Sequence, residues 1–315
     1  MSPIVDPYQR YSQMTPTTTT QPALDVRPIA RVSEMPFHAF DAKTFAHMLR
    51  VEPSALIDPF LGIDAFNMPE CYFLPHPHGG MSAITLLFED SPGGVRNRDS
   101  MGDDSHIEAG DLHWTQAGKG IIHEETPSEI GQAAVGLQIF VNMAKDKKYM
   151  DAAVFKVKRA DMPKGRVDDA TVVAVAGALP GTETRSPIDS DPRWATPVGL
   201  LDVTVDPNGQ VRLPIPTDHN VFFIWHAGDL VVGEQTVSQP VSVLWAGATQ
   251  SEVPFIQLQA GAAGLRGVVF HGKPLNEPVF PHGPFTGNTK QDIVNYIQAY
   301  QDGAMGALDP SFSRN

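Results

Sequence analysis

The apolar residues of this chain come in short runs, broken up by glycine, proline and aspartate. A long amphipathic helix needs an apolar stripe sustained over ten or more residues, so the pattern favours short strands joined by turns. Ala83–Phe88 is rich in β-branched and aromatic residues and reads as a buried strand; Gly136–Val141 reads as another, with partial alternation. Between them, Asp90-Ser91-Pro92-Gly93-Gly94 has turn chemistry, because proline restricts φ and glycine admits positive φ. The second half has the same texture. Val172–Leu179, Val198–Val205, Val221–Trp225, Val241–Trp245 and Gly267–Phe270 read as strands, and Asp206-Pro207-Asn208-Gly209 as a tight turn. The 27 glycines and 28 prolines are many for a helical protein. The expected class is all-β, a sandwich or barrel. One helix is expected near the end: Ile293, Tyr296, Ile297 and Tyr300 share a face, Thr289 and Asp292 form a capping box, and Gly303 suits the C′ position.

A chain of 315 residues is long enough for two such domains. The charged stretch Met143–Arg166, with Lys145, Asp146, Lys147 and Lys148 adjacent, reads as the connection between them. Residues 1–22 are polar, include Thr17-Thr18-Thr19-Thr20, and read as a disordered tail without the apolar core of a secretory signal. No run of 18 apolar residues is present to span a bilayer, and the expected location is cytoplasmic. Lysine and arginine total 23 against 36 acids, a net charge of −13, which argues against direct nucleic-acid binding. The single cysteine, Cys71, excludes an intrachain disulfide framework and any multi-cysteine metal site. It reads as a small apolar residue, with a redox-sensing thiol as the alternative. Any metal site must therefore be built from histidine and carboxylate.

Eleven histidines are scattered along the chain. In His76-Pro77-His78 the two imidazoles are at i and i+2, which on a strand puts both on one face. Taken alone this is a weak signal, since surface and core histidines also fall at that spacing. His123 and Glu125, in Gly118-Lys119-Gly120-Ile121-Ile122-His123-Glu124-Glu125, have the same spacing, and Glu124 faces the other way. Three imidazoles with one carboxylate suit divalent iron, copper, nickel or manganese and leave two positions of a six-coordinate ion open. A structural zinc site would more often use cysteine and close at four ligands. Nearby, His113 is expected to end a strand and bond locally, Trp114 and Phe140 to be core, and Arg98 with Asp99 to form a surface pair.

The runs His76-Pro77-His78-Gly79-Gly80, Asn97-Arg98-Asp99-Ser100-Met101-Gly102, Gly110 through Pro127 and Gln138-Ile139-Phe140-Val141-Asn142 together resemble the pirin family of the cupin superfamily. Gly272-Lys273-Pro274-Leu275-Asn276-Glu277-Pro278, then His282-Gly283-Pro284-Phe285 and Asn288-Thr289, extend the resemblance over residues 50 to 305. It implies a bicupin: two antiparallel β-barrels, each a double-stranded β-helix, face to face. The implied domains are 23–150, which binds metal, and 151–315, which does not and ends in a helix and short tail. Position by position, the implied ligands are His76, His78, His123 and Glu125, holding Fe(2+), with copper, nickel, manganese or zinc as alternatives. The second half has His219, His226, His271 and His282 but no HxH pair, in keeping with an empty barrel. Some pirins are dioxygenases that open quercetin-like flavonols with O2, which implies a small aromatic substrate and a proton-accepting role for Glu125. Others are regulators that bind a transcription factor or metabolic enzyme according to the redox state of the iron. The acidic charge fits a protein partner better than DNA. Two departures stand beside the ligands: Gly79 replaces the family's usual arginine, and Met81-Ser82 replaces an aromatic–glutamate pair.

Overall fold

The computed structural model describes residues 26–70, 73–246 and 254–310. The proposed tail and Cys71 lie outside these residues. Among the described residues the chain is all-β with one α-helix, and the named strands all pair antiparallel. The first half folds as two facing sheets. One has four strands in the order Phe73–His78, Ile121–Pro127, Val95–Asp99, Asp104–Ile107. The other has seven, ordered Ala153–Val157, Leu112–Gln116, Met81–Leu87, Ala134–Asn142, Phe60–Met68, Phe45–Leu49, Phe37–Ala39. The second half centres on a nine-stranded sheet. Its main path runs Ile29–Glu34, Val241–Trp245, Asn220–Val232, Phe255–Gly272, Val198–Val205, Ala170–Ala176, Lys164–Val167.

The strands expected from the sequence are present, with differences of extent; that expected over Val221–Trp225 continues to Val232. The strand expected to reach Leu179 ends at Ala176, where Gly177 takes φ +84° and turns the chain. The one expected over Gly267–Phe270 is the end of an 18-residue strand from Phe255. Its middle, Gly261-Ala262-Ala263-Gly264, has no β-branched residue to betray it. The helix Lys290–Gln301 carries the expected Thr289–Asp292 capping box, and Gly303 follows its end at φ +72°.

The two ends of the chain depart from a simple division at residue 150. Ile29–Glu34 hydrogen-bonds to Val241–Trp245 in the second-half sheet. The C-terminal helix docks in the opposite direction, on the first half, where Tyr296 is buried and its hydroxyl donates to Lys148 O at 3.0 Å. The charged stretch is likewise not all connection. Ala153–Val157 is an edge strand paired with Leu112–Gln116, and Lys148 is buried with Nζ donating to Gly80 O and Asn142 Oδ1.

Burial on both faces explains why the central strands read as nearly continuous apolar runs. In Met81–Leu87, Ile84 and Leu86 enter a core shared between the halves, and Leu87 joins a separate first-half cluster with Phe66, Met68 and Val95. The shared core also takes Phe60, Leu137, Ile139, Val141, Phe222 and Phe270. A third cluster, with Leu201, Val211, Leu213, Ile215 and Val269, fills the second half.

Candidate metal centre

Strand period and strand register together bring three imidazoles to one place. His76 and His78 lie two apart on Phe73–His78, the outer strand of the four-stranded sheet. That strand contains Pro75 and Pro77, which an outer strand tolerates because it need not donate on both sides. On the neighbouring strand His123 sits directly opposite His76. The ring centroids lie 4.7 to 5.0 Å apart. One ligand atom from each ring lies within 4.8 Å of those of the other two.

The surroundings set two of the tautomers. His76 Nδ1 donates to Leu74 O at 2.7 Å, since a carbonyl can only accept. His123 Nδ1 lies 3.1 Å from Asn97 Oδ1, and Asn97 Nδ2 donates onward to Asp103 Oδ2, so Nδ1 of His123 carries the proton. Both rings therefore keep the lone pair on Nε2, the form a metal needs. The third ring, His78, is buried, with the backbone of Pro284 beside it. Burial, and then the neighbouring His76, pushes its pKa down to about 3; burial also holds His123 well below the usual histidine value. At neutral pH these two rings are neutral donors. Buried neutral imidazoles facing one another fit a divalent transition metal, which replaces mutual crowding with coordination.

Glu125 lies on the same strand as His123, two residues on, after a shift in register. Its carboxylate is buried and lines the same cavity, and Oε1 accepts from the Thr85 hydroxyl at 2.6 Å. The group whose ligand atoms lie within 4.8 Å of one another comprises the three histidines and not Glu125, which lines the same cavity with Oε1 held by Thr85. Glu124 points away, as its place in the strand dictates, and pairs with Arg98 at 2.7 Å. Arg98 is thus not paired with Asp99, whose Oδ1 instead accepts from the backbone of Met101 and Asp103. His113 is buried mid-strand, with Nε2 3.4 Å from Asp103 Oδ2.

The cavity at the three imidazoles has a volume of about 170 Å³ and lies between the two first-half sheets. Phe40, Phe66, Phe73 and Phe140 form much of its wall. Phe140, expected in the core, is half-buried and lines the cavity: on Ala134–Asn142, Leu137, Ile139 and Val141 enter the shared core, while Gln138 and Phe140 face the site. Four supporting residues escaped the sequence reading: Thr85, Asn97, Gln138 and Asp103. Asn97 lies in one of the runs that carried the family resemblance, but nothing in its local pattern marks it as the partner of His123.

The departure at position 79 has a packing reason. A Cβ on Gly79 would lie 2.7 Å from Tyr296 Cδ1 and 3.2 Å from Phe285 Cδ1. Tyr296 cannot easily yield, since it stacks between Tyr149 and Phe285. The helix thus occupies the space a side chain would need. Gly79→Arg is expected to lower stability by about 1–3 kcal/mol through overpacking, read as a lower urea midpoint. Asn97→Leu is expected to weaken metal binding by about 10- to 100-fold, because His123 loses the acceptor that fixes its tautomer. A competition titration against a chelator measures it.

Family models match both halves: Pirin over residues 38–141 and the Pirin C-terminal cupin domain over residues 200–306. Pirin-like protein 2 of Arabidopsis thaliana is 33% identical over 257 residues, 80% of this chain and 76% of that protein. Human pirin is 31% identical over 252 residues, 79% of this chain and 83% of that one. Among solved structures, quercetin 2,3-dioxygenase from Acinetobacter baumannii superposes with a TM-score of 0.76 at 22% identity, covering 90% of this chain and all of that one. The bacterial pirin YhhW of Escherichia coli, in complex with nickel(II), superposes at 0.57 with 15% identity over 77% of this chain and 98% of its own. No helix among the described residues is long and apolar enough to cross a membrane. Matched in order by the family's models in both halves and aligned over about four fifths of its length with pirins of plant and animal, the chain belongs to the pirin family.

Proposed function

We propose that the chain is a mononuclear metal-dependent dioxygenase acting on flavonols such as quercetin, with iron held by His76, His78, His123 and Glu125. The observation that carries this reading is the convergence of three imidazoles and a carboxylate on one apolar, aromatic-walled cavity. The fold shared with a quercetin 2,3-dioxygenase supports it. When bound, the metal supplies Lewis acidity to a coordinated hydroxyl and a redox route to O2.

The protein's own residues do the rest. Thr85 donates to one oxygen of Glu125, which fixes the orientation of the carboxylate that would serve both as ligand and as acceptor of the flavonol hydroxyl proton. The phenylalanine walls receive the flat ring and exclude water. At about 170 Å³ the cavity is below the ~300–1,000 Å³ of pockets that enclose drug-sized ligands. It therefore holds the reacting ring of a flavonol, with the remainder towards the mouth. The test is oxygen uptake by iron-loaded protein with quercetin. Glu125→Gln is expected to lower turnover by about 100- to 10,000-fold, the usual span of general-base catalysis. No oxygen uptake with iron, copper, nickel or manganese across a flavonol panel overturns the reading.

A further inference from the structure

The second half contains a cavity of about 430 Å³, much larger than the one at the three imidazoles. Buried Leu201 and Ile215 lie at its base, and exposed Gly181, Thr182 and Pro216 at its mouth. Its wall is mostly apolar and rich in proline, with two imidazoles set into it.

Those imidazoles are coupled. His219 Nδ1 and His271 Nδ1 lie 2.9 Å apart, 52 residues distant in sequence. At that distance one nitrogen carries the proton and the other the lone pair, so the rings have opposite tautomers. Asp218 Oδ1, 3.8 Å from His219 Nε2, favours a proton on that nitrogen. His219 Nδ1 is then the acceptor and His271 Nδ1 the donor, which leaves a lone pair on His271 Nε2. That atom lies over Gly199, where a Cβ would come within 1.9 Å of it. Glycine at 199, which also lines the cavity, is what gives the ring its place. Burial, and then His219, holds the His271 pKa down at about 3, and burial also lowers that of His219.

The site is braced from a distant part of the chain. Arg27, fully buried, donates to the carbonyls of Ile215, Pro216 and His219, fixing the turn that carries His219. The charges nearby are matched. Arg185 pairs with Asp189 at 2.6 Å and Asp218 with Lys273 at 3.0 Å. Among the described residues that line the cavity, Arg185 is the one Lys, Arg, Asp or Glu, and Asp189 pairs with it.

We propose that this cavity is a second ligand site, independent of the metal centre, for a neutral, planar, hydroxylated aromatic molecule. Its O–H donates to His271 Nε2, and its ring lies against the flat faces of Pro180, Pro197, Pro214 and Pro254. The volume falls within the ~300–1,000 Å³ typical of small-molecule pockets, enough to seat such a molecule. Prolines offer rigid apolar surface, and one half-buried acceptor, His271 Nε2, sets the orientation.

The test is calorimetric titration of the full chain with 2-naphthol, 2-methoxynaphthalene and 2-naphthoate. One equivalent of 2-naphthol is expected to bind, equally well to wild type and to His123→Ala. At least a tenfold loss is expected for the methyl ether, which has no O–H, and for the carboxylate, which is charged. His271→Leu is expected to lose the same affinity while keeping its metal content. Equal binding of naphthol and its methyl ether, tighter binding of the carboxylate, loss of binding in His123→Ala, or no binding by 1 mM overturns the proposal. The ether and carboxylate comparisons use unaltered protein, so they decide the matter even if His271→Leu fails to fold.

Discussion

His123→Ala is expected to lower the metal content of the protein at least ~10-fold and to abolish oxygen uptake with quercetin, while the far-ultraviolet circular dichroism stays that of wild type. His123 stands on an inner strand of the four-stranded sheet, paired on one side with Phe73–His78 and on the other with Val95–Asp99. Its backbone bonds survive the substitution, so the sheet persists. What disappears is the donor directly across from His76, the ring that Asn97 orients towards the site. The remaining two imidazoles share one outer strand, and only the Glu125 carboxylate faces them from the inner strand, too few donors to hold an ion tightly. His226→Ala is the matched control: His226 stacks on Phe88 and bonds to Asp90, away from the three imidazoles, and its loss is expected to leave metal content unchanged. Elemental analysis of both variants checks the prediction. Wild-type metal content in His123→Ala would remove the centre as assigned.

What could be read in the sequence follows the range of the physics involved. The period of two in a strand is local, so His76 with His78 and His123 with Glu125 could be assigned to shared faces from spacing alone. The exclusion of Glu124 came from the same rule, and its pairing with Arg98 agrees. Which strand lies beside which is not local. Nothing within Ile29–Glu34 marks its partner as Val241–Trp245, and nothing near His219 marks His271 as its neighbour. Phe140 shows a subtler limit. The strand Ala134–Asn142 puts Leu137, Ile139 and Val141 in the shared core and half-buried Gln138 and Phe140 on the cavity, and an apolar Phe140 does not by itself tell which of the two it meets. Gly79 could be seen as a departure from the family but not explained, because its cause, Tyr296, lies more than 200 residues further on.

Phe60→Ala is expected to destabilise the protein by about 3–5 kcal/mol, among the larger costs a single side-chain truncation produces. Phe60 is 2% exposed. Its ring stands edge-on to Phe222 at 5.2 Å and to Phe270 at 5.5 Å, and those two stack on one another at 4.8 Å. Phe60 belongs to the first half; Phe222 and Phe270 belong to the second. The truncation therefore opens a cavity between the halves, where neither can collapse to fill it without dragging its own sheet. Trp114 and Trp194 meet in the same core, at 5.4 Å, and report on it by fluorescence. Because that core is continuous across both halves, the denaturant midpoint is expected to fall for fluorescence and circular dichroism together. Phe37→Ala, at a site 61% exposed, is expected to change stability by less than about 0.5 kcal/mol. If Phe60→Ala instead separated the two signals into distinct transitions, each half would hold its own fold, and the crossing of Ile29–Glu34 and the C-terminal helix would be attachment without cooperativity.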